Sequence, residues 1–167
     1  ATGTALMGQS VNADRSCDNV TASRDALRDS FQCNMDLRDA DRPPVILVPG
    51  TTLTPEVNFS WNYVPALDAL GWPVCTVELP ESSLANIQLS AEHIEYAIRE
   101  SFRLSGHKVQ VIGFSQGGMA PRWPLRFSPD TRRKVQDLIS LSGSHHGAFG
   151  ADLLCGPFAS PDPDGVV

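Results

Sequence analysis

No apolar stretch among the 167 residues approaches 18 in length, so the sequence holds no membrane-spanning helix. Basic charge is also scarce. Thirteen Lys and Arg stand against 19 Asp and Glu, a net charge of −6, which excludes a nucleic-acid footprint. The single basic cluster, Arg132-Arg133-Lys134, reads as a solvated helix end. No C-x-x-C occurs, and no His/Cys group has zinc spacing, so no metal is expected. There is no internal repeat.

What is present suits one soluble domain. Forty-one per cent of residues are hydrophobic and 19% charged, and the length suffices to bury a core. Four cysteines, Cys17, Cys33, Cys75 and Cys155, form an even set with three connectivities, which fits an exported, disulfide-bearing chain. The sequons at Asn19 and Asn58 fit export as well. The sequence starts at Ala1 without a signal-peptide pattern, as a processed mature chain would.

Residues 1–44 are polar, with weak helical character over 22–31, and are expected to form an N-terminal arm pinned by cysteine. Val45-Ile46-Leu47-Val48 is a buried-type strand ending at Pro49-Gly50. Residues 61–70 carry Trp61, Val64, Leu67 and Leu70 at helical spacing and end at Gly71. A strand is expected over 74–79. A helix is expected over 90–105, with Ser90 as its cap and Gly106 as its stop. Strands follow at 109–114 and 138–142. Strands alternating with helices predict an α/β fold with a parallel sheet, whose ligands sit at the carboxyl ends of the strands.

Gly113-Phe114-Ser115-Gln116-Gly117 stands at such an end. A G-x-S-x-G pentapeptide after a β-branched strand places its serine on a sharp strand-to-helix turn with the hydroxyl aimed away from the sheet. Ser115 is therefore the candidate nucleophile for acyl transfer. Pro121 and Pro124 fall in the helix that should follow, so that helix is expected to kink or restart near Pro121.

Residues 44–51, the stretch Trp61 through Leu70-Gly71-Trp72-Pro73-Val74-Cys75, and residues 114–118 together resemble lipases of the α/β-hydrolase fold, of the lipase B type. The resemblance covers roughly residues 30–150. It implies Ser115 as nucleophile, with the Gln116 and Thr51 amides (and the Thr51 hydroxyl) as oxyanion donors. It also implies a Cys33–Cys75 disulfide, an ester or lipid substrate, and no cofactor. On this reading residues 45–167 are the N-terminal part of a hydrolase domain that ends at about the sixth of the family's eight strands. The Gln116 side chain is expected to be incidental.

A serine nucleophile needs a histidine base and an orienting acid, which follow it in this fold in the order acid, then histidine. His93 is expected on a helix surface and His107 at the wrong end of the sheet. His145 and His146 lie at the correct end, in a loop that in lipases is structural or lines the pocket. Ser144 stands where lipase B enzymes have an acid. Asp152 is the only later acid beside a cysteine, and no histidine follows it. The base and acid are therefore expected from a second chain or a C-terminal remainder. The alternative is a catalytically incomplete α/β domain that binds lipids or a partner.

Overall fold

Why Val45–Val48 forms a continuously apolar strand follows from its two neighbours. Ile46 and Val48 face one apolar cluster and Val45 and Leu47 face another, all at most 1% exposed. A strand covered on both faces reads as an uninterrupted apolar run. The computed structural model describes residues 21–147. Cys17, Cys155, Asp152, Asn19 and the tail from Phe149 lie outside them.

The elements in chain order are α1 (Arg24–Asp29), β1 (Phe31–Cys33), a 3-10 turn (Leu37–Asp39), β2 (Val45–Val48), α2 (Pro55–Phe59) and α3 (Tyr63–Ala69). Then come β3 (Val74–Val77), α4 (Pro80–Ser83), α5 (Ile87–Ser105), β4 (Val109–Phe114), α6 (Gln116–Met119), α7 (Arg122–Phe127), α8 (Pro129–Arg132) and β5 (Val135–Leu141). Five strands lie in the order β1-β3-β2-β4-β5. The four strands β2 to β5 are parallel, as the alternation predicted. The edge strand β1 was not anticipated and runs antiparallel to β3, making the sheet mixed. Its register sets Cys33 opposite Cys75, and these two residues form the disulfide that the resemblance implied.

The helix α5 covers one face. Ile94, Ala97 and Ile98, each 0% exposed, pack on Ile46, Val77, Val109 and Val111. On the other face Phe59, Tyr63, Val64 and Leu67 close over Val45, Leu47 and Ile112. Each fully buried aliphatic side chain contributes about 1.5–3 kcal/mol.

Three local expectations need correction. The cap of α5 is Asn86, whose side chain accepts from the Gln88 amide; Ser90 is fully buried one turn further on. Trp61 and Leu70 are not part of a buried stripe: they are 75% and 67% exposed, and α3 starts at Tyr63 under an Asn62 cap. The last described strand begins at Val135 rather than Leu138, because pairing with β4 carries Val135 and polar Asp137 into the ladder, with Gln136 at a register shift between them. By contrast, Gly106 closes α5 in the left-handed conformation, φ 71°, as its sequence position predicted.

Candidate active site

The residues that follow β4 cannot continue as a strand. Ser115 has φ 53° and ψ −120°, a conformation that costs a non-glycine residue about 1–3 kcal/mol. Hydrogen bonds on both sides hold it there. The Ser115 amide donates to Leu141 O at 2.8 Å, and the Gly118 amide donates to Ser115 O at 2.9 Å. The chain then enters α6. The helix breaks at Pro121 and resumes as α7, the restart that the two prolines predicted.

The flanking glycines are required by close approach. A Cβ on Gly113 would run into the Gly117 carbonyl and come within 2.7 Å of the Gly118 nitrogen. One on Gly117 would run into the carbonyl oxygens of Val48 and Pro49, where β2 ends. A Cβ on Gly50 would sit 3.2 Å from Ser115 Cβ. The turn after β4 and the turn after β2 are thus pressed together, backbone on backbone at Gly117 and with the Phe114 ring against Gly50.

This contact brings Thr51 to Gln116. The Thr51 hydroxyl donates to Gln116 Oε1 at 2.6 Å, so the Gln116 side chain is not incidental: it ties the two turns. The turn at 50–53 is fixed further by the Gly50 amide donating to Asn58 Oδ1 at 3.0 Å and the Leu53 amide to Gly50 O at 3.1 Å. Sequence reasoning saw Asn58 only as a sequon. Its structural role depends on a partner eight residues away, which no local pattern reveals. Among the described residues, the Thr51 and Gln116 amides donate to no acceptor. Ser115 is half-buried at this junction and Thr51 is exposed.

The histidines are spread out. His145 Nδ1 lies 3.1 Å from an Arg122 guanidinium nitrogen, and Nε2 lies 2.9 Å from Ser140 Oγ. Arginine can only donate, so Nδ1 is the acceptor and Nε2 carries the proton given to Ser140. Both ring nitrogens are spent. Ser140 pairs with Gly113 in the sheet, so His145 braces the strand beside the Ser115 turn. His107 lies before β4, at the opposite end. His93, expected at the surface, is 5% exposed and contacts Ser30 Oγ at 2.9 Å, because its helix face meets the segment joining α1 and β1. Burial holds its pKa below the ordinary value, nearby Glu92 opposing. Among the described residues no group of three or more His, Cys, Asp or Glu could hold a metal ion, and no helix is long and apolar enough to cross a membrane. The basic cluster behaves as a helix end: Arg133 and Lys134 both pair with Asp130.

The family model described as palmitoyl protein thioesterase matches residues 75–162. Lipase B of Pseudozyma antarctica is 34% identical over 115 residues, 68% of this chain and 32% of that protein. The crystal structure of Aspergillus fumigatus lipase B aligns with a TM-score of 0.73 at 28% identity, over 88% of this chain and 36% of that one. The mature form of a Bacillus licheniformis lipase aligns with a TM-score of 0.65 at 22% identity, over 82% of this chain and 57% of that one, a likeness of fold. The chain spans about a third of the length of both lipase B relatives.

Proposed function

The chain belongs to the palmitoyl protein thioesterase family, with an α/β-hydrolase fold, and from that membership we propose that it carries the nucleophile and oxyanion half of an acyl-ester hydrolase. Ser115 attacks the acyl carbonyl. The Thr51 and Gln116 amides receive the oxygen on which negative charge develops, and water or an alcohol then releases the acyl group. Carboxylic esters of lipids are the substrate class, with thioesters the neighbouring one.

The observation that carries this reading is the junction itself. A serine is held at positive φ beside two amides without acceptors among the described residues, on turns locked together by Thr51 and Gln116. Donors fixed before charge develops need no reorganisation, and each such donor is worth about 2.7–4 kcal/mol. The base and its orienting acid are assigned to polypeptide outside residues 21–147: His145 is committed at both nitrogens, and among the described residues no carboxylate is hydrogen-bonded to His146 to orient it. Without a base, only about 10³–10⁴-fold of the acceleration remains. A disulfide within the sheet supports an oxidising, extracellular setting.

The test is labelling of the intact protein, with the base-bearing polypeptide present, by a fluorophosphonate, read by peptide mapping. The expected adduct is at Ser115 and disappears in Ser115→Ala. Equal labelling of Ser115→Ala contradicts the assignment. Turnover of p-nitrophenyl butyrate by residues 21–147 alone at ordinary enzyme rates contradicts the external base.

A further inference from the structure

We propose that the cleft between α1, the end of β3 and α5 is a second binding site, which takes a small organic ammonium ion with an apolar body. The cleft has a volume of about 730 Å³, the size of a small-ligand site. It opens at the carboxyl end of β3, where open α/β sheets bind ligands, and β2 separates it from the strand that leads to Ser115.

Its charge has one sign. Asp29, Glu78 and Glu81 line it, and among the described residues no lysine or arginine does. Its apolar wall comes from Ala22, Leu79 and Leu89. Residues 21 and 22 are held in place by Glu92, whose carboxylate accepts from the Thr21 amide at 2.9 Å and the Ala22 amide at 2.8 Å. On the opposite rim, Glu81, Ser82 and Ser83 all have positive φ, so that wall is set in a conformation the chain does not adopt by default.

The buried group that points to a ligand is His93. Ser30 Oγ gives its own proton to Leu27 O at 2.8 Å, so the 2.9 Å contact to His93 must be a donation from Nδ1–H. The ring is then neutral with its lone pair on Nε2, and Nε2 has no partner among the described residues. His93 is 5% exposed as a residue, and its Nε2, an acceptor left open in a cleft lined by carboxylates, suits a hydrogen-bond donor that carries positive charge. Desolvation already raises the Glu78 carboxyl above its ordinary pKa, and an ammonium ion beside it would relieve that penalty. A carboxylate ligand meets three like charges, and a neutral alcohol satisfies His93 but leaves the carboxylates unpaired.

The probe is n-hexylammonium, with hexanol and hexanoate as controls, titrated into the full chain and followed by the ¹⁵N shift of His93 Nε2. Saturable binding is expected with a dissociation constant of about 1–10 mM, the range for so few heavy atoms. Glu78→Gln and, separately, Glu81→Gln are each expected to weaken hexylammonium about three- to five-fold, the scale of a partly exposed ion pair, without changing hexanol. Phosphonylation of Ser115 leaves the titration unchanged, so this result is independent of the catalytic reading. Absence of saturation or of a His93 shift, equal binding of hexanoate or hexanol, or loss of binding on Ser115 modification overturns the proposal.

Discussion

Replacing Gly117 with alanine drives a methyl group into the carbonyl oxygens of Val48 and Pro49. Both obstacles are backbone, so no side chain can rotate out of the way. Either the end of β2 or the first turn of α6 must yield. Forced backbone shifts in a packed region cost about 1–3 kcal/mol, and an approach this close to two oxygens belongs in the upper part of that range. At about 2–4 °C per kcal/mol for a domain of this size, the melting temperature should fall by roughly 4–12 °C. The control is Gly71→Ala, where nothing lies within 4 Å of the new Cβ and only the φ of +71° is unfavourable. Left-handed strain alone costs about 1–2 kcal/mol. The functional consequence is larger. Separating the two turns pulls the Thr51 amide from the Gln116 amide, and a misplacement of about 1 Å slows a positioned reaction about 100-fold. Thermal melts and fluorophosphonate labelling rates measure the two effects. If Gly117→Ala melts no lower than Gly71→Ala and labels at the wild-type rate, the junction is not close-packed as described.

Three further outcomes follow from the same structure. Cys33→Ser with Cys75→Ser opens a loop of 42 residues and should lower stability by about 4 kcal/mol in denaturant melts, with reductant having no added effect on the double variant. Asn86→Ala removes the cap of α5 and should cost about 1 kcal/mol, whereas a similar loss in Asn34→Ala would need another cause, its side chain bridging Asp68 and Trp72 O. His93 titrates below its ordinary value of 6.5 because burial disfavours the charged ring, so the unfolded chain binds the extra proton first. Its contribution is complete above about pH 6.5 and is lost as pH falls below it; a melt series from about pH 7.5 to 5 should show that acid-side decline, and His93→Gln should flatten it.

Much of this architecture was legible because its signals are local. Val45–Val48 and Val109–Phe114 announce themselves as apolar runs, since strands covered on both faces need no alternation. The serine pentapeptide and the proline pair fix the turn after β4 and the break between α6 and α7 within twelve residues of chain. What was not legible depends on distant partners. Three residues suffice for β1 only because β3 and the disulfide partner Cys75 wait beside it. Ser90 carries a capping side chain, yet the helix starts earlier because Asn86 satisfies the Gln88 amide first. His93 looks like a surface residue until α1 places Ser30 against it, and Gln116 finds its use in Thr51, 65 positions away. Trp61 and Leu70 show the converse: helical spacing of apolar residues without a surface to cover them.

The most direct measurement is a crystal structure of the chain phosphonylated at Ser115. The account predicts a phosphoryl oxygen about 2.7–3.1 Å from both the Thr51 and Gln116 amide nitrogens, with Ser115 still at positive φ. An oxygen that points to solvent while those two amides bond elsewhere would contradict it.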